Sequence, residues 1–143
     1  MKFHIDHINL TIKNLTETAN WYERVFDMKI VEEGLREDGN KWAVIGNGDY
    51  FICMNEFPKR KNANTNYEGA NPSQNIYHFG FRITDRSEWE KRVRENNLAL
   101  YYGGVNEYPH STSWYVNDPT GYEIEVAVWD QNAPSFKHAK ASL

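Results

Sequence analysis

The chain has little of several features that mark specialised classes of protein. Cys53 is its single cysteine, so an internal disulfide is excluded and a cytoplasmic location is favoured. Its longest apolar run is about five residues, whereas a membrane span needs about 20. Sixteen Lys and Arg against twenty Asp and Glu give a net charge of -4, without the basic excess that nucleic acids attract. The opening residues contain no apolar signal segment. We therefore expect a cytoplasmic protein whose partners are neither membranes nor nucleic acids.

What is present fits one globular domain. The 143 residues are 40% hydrophobic and 15% aromatic, which is typical of a folded chain with a core. A chain of this length is close to the commonest domain size. We interpret 1–143 as a single domain.

An internal repeat organises this domain. When His7 is placed on His78, the alternating segment His7–Ile12 superimposes on His78–Ile83. Alternation at a period of two predicts half-buried strands. Each segment is followed by a short polar residue with Glu three positions later, in Asn14–Glu17 and Asp85–Glu88. That spacing is close to a capping box, so a helix is predicted to follow each strand.

Further strand patterns complete two equivalent halves. The predicted strands are Lys29–Leu35, Lys41–Ile45 and Tyr50–Met54 in the first half, and Leu98–Tyr102, Thr112–Asn117 and Tyr122–Val126 in the second. The sequence therefore predicts an α+β fold of two β-α-β-β-β modules that form a curled mixed sheet. Module one covers about 1–56, a linker covers 57–75, and module two covers about 76–130.

The alternation of strand faces selects a group of metal-binding side chains. The apolar faces are expected to pack on the helices, which places His7, His78 and Glu125 on the opposite faces. If the halves curl around a common axis, these faces form a concave cup in which the three side chains converge. Two imidazoles and one carboxylate are a common donor set for a divalent transition metal, with positions left for water or substrate.

The same residues carry a resemblance to a known family. The chain resembles the vicinal oxygen chelate superfamily, which includes glyoxalases, extradiol dioxygenases, fosfomycin-resistance enzymes and bleomycin-binding proteins. The resemblance extends over about Phe3 to Trp129, and its carriers are Asp6–Leu10, Trp21–Tyr22, Val25–Phe26, Tyr77–Phe81 and Trp114–Val126. It implies that His7, His78 and Glu125 hold the metal.

Two positions depart from the patterns of particular relatives. Glyoxalases carry a fourth ligand, a Glu, where this chain has Cys53. Glu56 lies three residues later and therefore points to the helix side of its strand, so we predict that it is not a ligand. Cys53 is interpreted either as a side chain of the cup or as a small buried hydrophobe. Asn9 replaces the Thr or Cys that the fosfomycin-resistance type has two residues after the first His.

The remaining candidates line the expected cup. Tyr115 and Trp129 supply aromatic walls and Arg82 a positive charge, which together suit a planar or anionic small molecule. A surface ion pair is the alternative for Arg82. The candidate catalytic residues are Tyr115 and Arg82, and the candidate substrate-binding residues are Asn9, Cys53, Ser113 and Trp129.

These residues predict a metal-dependent enzyme acting on a small oxygen-bearing molecule by Lewis-acid chemistry. The divalent ion is Fe, Mn, Ni or Zn, and the reaction is that of a lyase, an isomerase or a dioxygenase. The alternative is a non-catalytic protein that binds a small molecule or drug, as the bleomycin-binding relatives do. We expect a homodimer, with each cup built either within one chain or across two.

Overall fold

The computed structural model describes residues 1, 4–60 and 76–134. Residues 61–75, which make up most of the predicted linker 57–75, lie outside the described residues. The end of the chain from residue 135 also lies outside them. The described part contains eight strands and two helices, in the order β1 (His7–Ile12), α1 (Leu15–Phe26), β2 (Lys29–Leu35), β3 (Lys41–Gly46), β4 (Phe51–Glu56), β5 (Phe79–Ile83), α2 (Arg86–Glu95), β6 (Asn106–Tyr108), β7 (Ser111–Asn117) and β8 (Glu123–Trp129).

Both predicted modules are present and have the same topology. The first sheet has the strand order β1-β4-β3-β2 and the second has β5-β8-β7-β6. In each sheet the first and last strands of the module pair in parallel and the other neighbours are antiparallel. The α+β class and the two β-α-β-β-β modules are therefore confirmed, as two open four-stranded mixed sheets.

The first compact unit consists of module one together with Asp118–Thr120. Helix α1 contacts β2, β3 and β4, and it buries Ala19, Tyr22 and Val25. The added turn is held by two hydrogen bonds: the Tyr22 hydroxyl donates to Asp118 Oδ2 at 3.2 Å, and the Lys13 N–H donates to Thr120 Oγ1 at 3.3 Å. The turn that precedes β8 thus forms part of the core of the first unit.

The second compact unit contains the rest of module two. Its core comes from β7 and β8, where Trp114, Val116, Ile124 and Val126 are at most 1% exposed. Helix α2 buries Trp89, and the Arg86 guanidinium lies 5.5 Å from the centre of the Trp114 ring. The opposite face of β7 and β8 is left to carry polar side chains.

One predicted strand is wrong. Leu98–Tyr102 forms no strand, and β6 lies instead at Asn106–Tyr108. Left-handed backbone interrupts an extended run at Asn97, just before the segment, and at Tyr102, its last residue, with φ of 49° and 54°. The chain makes a turn over residues 101–104, where the Gly104 N–H donates to the Tyr101 carbonyl at 3.1 Å.

Both predicted helix starts are confirmed. The Asn14 side chain accepts a hydrogen bond from the Glu17 N–H at 2.9 Å, and Asp85 accepts one from the Glu88 N–H at 3.0 Å. These bonds satisfy N–H groups that the first helical turn leaves without a partner. Neither α1 nor α2 has the length or the apolar content of a membrane span, and the described residues contain no other α-helix.

Candidate functional site

The polar face of the second sheet brings a histidine and two glutamates together. His78 Nε2 lies 3.1 Å from Glu125 Oε2, and its Nδ1 lies 3.3 Å from Glu123 Oε1. The histidine directly precedes β5, and β5 pairs with β8 in a register that puts Gly80 opposite Glu125. Because Gly80 has no side chain, this face of β5 leaves space beside Glu125; a Cβ at Gly80 would lie 3.9 Å from Glu125 Cβ.

The carboxylate of Glu125 is oriented from a second strand. The Ser113 hydroxyl donates to Glu125 Oε1 at 2.7 Å, while Oε2 faces His78. These hydrogen bonds, that from His78 first, lower the pKa of Glu125 below its ordinary value although burial opposes this. The pKa of His78 is raised chiefly by its hydrogen bond with Glu125, against the effect of burial. Without a bound cation, His78 Nε2 and Glu125 Oε2 share a proton in this hydrogen bond.

Tyr115 stands beside this pair as a protonated phenol. Its ring centre is 5.7 Å from that of His78, and its hydroxyl is 3.2 Å from the Tyr108 hydroxyl. Burial is the main cause that raises the pKa of Tyr115 above its ordinary value. The group is therefore a hydrogen-bond donor at neutral pH and not a base.

A cavity of about 370 Å³ adjoins these residues within the second unit. That volume is within the range of small-molecule sites, about 300–1,000 Å³. The walls combine aromatic rings with one carboxylate and one guanidinium; they are formed by Gly80, Phe81, Arg82, Tyr108, Ser111, Tyr115, Glu125, Ala127, Trp129 and Pro134. The structure thus brings four of the predicted residues to one cavity, namely Arg82, Tyr115, Glu125 and Trp129.

Arg82 lies two residues beyond Gly80 on β5, on the same face of the strand. Arg82 and Glu125 both line the cavity. Arg82 is exposed and has no hydrogen bond or ion pair in the part of the chain that the structure describes.

His7, Asn9 and Cys53 belong to the first unit. His7 and Asn9 share the exposed face of β1, where Asn9 is opposite Cys53 of β4 in the parallel register. The Asn9 side-chain Oδ1 accepts a hydrogen bond from Asn55 Nδ2 at 2.9 Å, and His7 Nδ1 lies 2.8 Å from Asp6 Oδ2. His7 therefore has Nδ1 engaged by a carboxylate of its own segment.

The first unit also contains Cys53 and Glu56, the two residues that bear on the fourth ligand of glyoxalases. Glu56 Oε2 accepts a hydrogen bond from the Leu15 N–H at 2.7 Å, at the start of α1. Its carboxylate therefore points to the helix side of the sheet, as its position in the strand predicts. Burial is the main cause that raises the pKa of the half-buried Cys53 thiol, so the side chain is uncharged at neutral pH.

Three contacts of the site were not anticipated from the sequence. They are the Asp6–His7 pair, the Glu123–His78 pair and the hydrogen bond that Tyr102 donates to Glu123 at 2.6 Å. Asp6 is adjacent to His7 in the sequence, and Glu123 shares a strand face with Glu125, so both had a local signal. Tyr102 had none, because it lies in the turn that was predicted as a strand.

The side chains of His, Cys, Asp and Glu in the described ranges form no group of three or more that could hold a metal ion. His78 and Glu125 contribute two donors in the second unit, and His7 contributes one in the first. The chemistry of these donors, imidazole nitrogen and carboxylate oxygen, is that of a divalent transition-metal site.

Comparison with known proteins gives consistent matches over most of the chain. The model of the Glyoxalase/Bleomycin resistance protein/Dioxygenase superfamily matches residues 4–126. The metallothiol transferase FosB of Staphylococcus saprophyticus is 22% identical over 124 residues, which cover 85% of this chain and 74% of that protein.

Solved structures share the fold. The glyoxylase/bleomycin resistance protein/dioxygenase domain from Frankia sp. EAN1pec has a TM-score of 0.71 at 19% identity, over 90% of this chain and 99% of that one. The fosfomycin resistance protein FosX from Listeria monocytogenes, complexed with Mn(II) and sulfate, has a TM-score of 0.64 at 17% identity, over 96% and 98% of the two chains. At these identities the likeness establishes the fold alone.

Proposed function

Because the chain belongs to the Glyoxalase/Bleomycin resistance protein/Dioxygenase superfamily, we propose that it is a metal-dependent enzyme acting on a small oxygen-bearing molecule. The observation that carries this proposal is the His78–Glu125 pair on the wall of a ligand-sized cavity. His78 Nε2 and Glu125 Oε2 lie 3.1 Å apart and share a proton, and a divalent cation that displaces this proton would be held by the same two atoms.

His7, His78 and Glu125 are proposed as the ligands of one divalent ion. His7 and His78 both have a carboxylate next to Nδ1, which leaves Nε2 as the nitrogen for a metal. A bound ion of this kind acts as a Lewis acid that polarises substrate oxygens. Mn(II) is a reasonable first choice among Fe, Mn, Ni and Zn, because it is the ion in the FosX complex.

The other residues of the cavity bind and orient the substrate. Tyr115 donates a hydrogen bond to an oxygen on which negative charge develops, since its raised pKa keeps the proton in place. Arg82 pairs with an anionic group of the substrate, and the buried Trp129 packs against its planar part. Ser113 holds Glu125 in orientation.

Asn9 and Cys53 are proposed to contact substrate from the exposed polar face of the first sheet. Cys53 would do so as a neutral thiol. We further propose that the protein is a cytoplasmic homodimer. Lyase, isomerase and dioxygenase chemistry are all compatible with this set of residues, because the reaction depends on the substrate and the metal as well as on the fold.

The test is the metal content of protein purified without chelators. Wild type should contain about one equivalent of a divalent metal per chain, and His7→Ala, His78→Ala and Glu125→Ala should each contain much less. His4→Ala is the matched control, because His4 is an exposed histidine three residues before His7. A triple variant that retains a full equivalent would contradict the proposed ligands.

The same preparations test the alternative function. The aromatic walls of the cavity also suit a protein that binds a planar drug without catalysis. Wild-type protein that contains no metal, takes up none, and binds a planar aromatic cation such as ethidium tightly would favour the binding protein. Iron would favour a dioxygenase, and nickel or zinc glyoxalase-like chemistry.

A further inference from the structure

Each of the two candidate histidine ligands has a carboxylate at Nδ1, but the two carboxylates differ in their surroundings. Asp6 Oδ2 is 2.8 Å from His7 Nδ1, and the Asp6 side chain is 93% exposed. Glu123 Oε1 is 3.3 Å from His78 Nδ1, and the Glu123 side chain is only 11% exposed. Water screens an exposed ion pair and competes for its hydrogen bonds, whereas an enclosed one keeps its strength.

Glu123 is also fixed from its other side. The Tyr102 hydroxyl donates to Glu123 Oε2 at 2.6 Å, which directs Oε1 towards His78. His78 Nδ1 and Glu123 Oε1 are both shielded from solvent, and neither has an aligned hydrogen bond among the described residues. They are already within 3.3 Å of each other, so a small rotation of the imidazole gives each atom its partner.

We propose that Glu123 is a positioning residue for His78: when a metal ion displaces the proton between His78 and Glu125, Glu123 accepts the proton on Nδ1, which leaves the lone pair on Nε2 for the ion. This inference rests on the proposed metal site. A neutral imidazole carries its proton on one nitrogen only, and a metal ligand must present the other. A carboxylate partner on the distal nitrogen selects that tautomer, fixes the ring plane and makes the ligating nitrogen more basic.

Two substitutions of similar size separate this role from simple packing. Glu123→Gln retains a carbonyl oxygen that can accept the Nδ1 proton, whereas Glu123→Met retains the length and offers no comparable acceptor. Tyr102→Phe removes the hydroxyl that directs Glu123, so it tests the same role without altering Glu123. Asp6→Asn is the matched control at the exposed pair.

The first measurement is the affinity for Mn²⁺, determined by calorimetric titration. Glu123→Met should bind Mn²⁺ about 10–100-fold more weakly than wild type, as the loss of such partners typically does. Glu123→Gln should recover most of this loss, and Tyr102→Phe should show a smaller loss than Glu123→Met. Asp6→Asn should change the affinity by less than about fivefold, because exposed pairs are worth at most about 1 kcal/mol.

The second measurement is the Nδ1–H resonance of His78 in protein loaded with Zn²⁺, which is diamagnetic. In wild type and Glu123→Gln this proton has an acceptor and should show a downfield shift and slow exchange with water, whereas in Glu123→Met both effects should be reduced. Packing alone would not affect a proton on this nitrogen. An Nδ1–H resonance and a metal affinity that are both unchanged in Glu123→Met would overturn the positioning role, and if that variant fails to fold, the same result in Tyr102→Phe would do so.

His78→Ala distinguishes failure of this role from failure of the metal site. If His78→Ala loses Mn²⁺ while Glu123→Met binds it as wild type does, the positioning role alone is overturned. If His78→Ala binds Mn²⁺ with wild-type affinity, the proposed metal site itself is overturned.

Discussion

Among single residues, Glu56 shows how strand position separates two roles for one side-chain type. It lies near Cys53 in sequence and close to the position of a fourth ligand in glyoxalases. Its carboxylate nevertheless accepts the Leu15 N–H at the start of α1, where the partial positive charge of the helix favours an anion. Glu125, by contrast, lies on the polar face of the second sheet, where its Oε2 is 3.1 Å from His78 Nε2.

Glu56→Gln should therefore leave metal affinity nearly unchanged. The Gln carbonyl can still accept the Leu15 N–H, so only the charge at the helix start is lost, at a cost of about 0.3–1 kcal/mol. Calorimetric metal titration and thermal unfolding of the same sample measure both effects. A large loss of metal would show that Glu56 is a fourth ligand and would favour glyoxalase chemistry.

At the scale of the elements, the local sequence pattern is sufficient to predict where α1 and α2 begin. Asn14 and Asp85 cap α1 and α2 with equivalent bonds, to the Glu17 and Glu88 N–H groups. The two caps differ in that Asp85 titrates and Asn14 does not. The bond from the Glu88 N–H, together with that from the Ser87 hydroxyl, lowers the pKa of Asp85 below its ordinary value.

This difference predicts an effect of pH on one cap alone. A carboxyl whose pKa is lowered in the folded state stabilises it at a pH above the unfolded-state pKa, about 3.9, and loses this contribution as the pH falls through the folded-state pKa. The destabilisation caused by Asp85→Ala should thus shrink at acid pH. That caused by Asn14→Ala, about 1 kcal/mol, should not.

Urea unfolding of both variants and wild type, at neutral pH and near the acid limit of folding, measures these differences. Asp85→Asn serves as the control, because it keeps a capping oxygen that does not titrate. Equal penalties for Asp85→Ala at the two pH values would contradict the assignment of the charge to this cap.

At the scale of the whole molecule, the proposed ligands come from two compact units. His7 lies in the first, and His78 and Glu125 lie in the second. The 19 residues of the predicted linker, 57–75, can extend to at most about 60 Å at about 3.3 Å each. That reach permits a cup built from modules of two chains. The edge strands of the two sheets pair with no further strand among the described residues, which favours association. A twofold dimer with two equivalent metal sites is therefore expected.

Joint refolding of His7→Ala with Glu125→Ala protein distinguishes sites within one chain from sites across two. If the ligands come from different chains, each heterodimer has one site without either ligand and one intact site. Random pairing should then restore metal to about one quarter of all sites. We expect this recovery, measured as metal content of dimers isolated by size-exclusion chromatography.

Each variant refolded alone is the control and should stay without metal. Proven heterodimers that bind none would place His7 and Glu125 of one site on the same chain. A monomer that binds a full equivalent would contradict the dimer.

Local periodicity was enough to predict the repeat, both helix starts and the faces of the strands, because alternation and capping depend on neighbours in the sequence. It failed at Leu98–Tyr102, where the backbone at Asn97 and Tyr102 turns left-handed. The sequence also identified His78 and Glu125 as candidate metal ligands. Only the tertiary structure decided that Glu125 is shared between His78 and Ser113, and that Tyr102 directs Glu123 to His78. These contacts join separate strands and a turn, and their geometry depends on strand register and ring orientation, which a pattern of residue types does not contain.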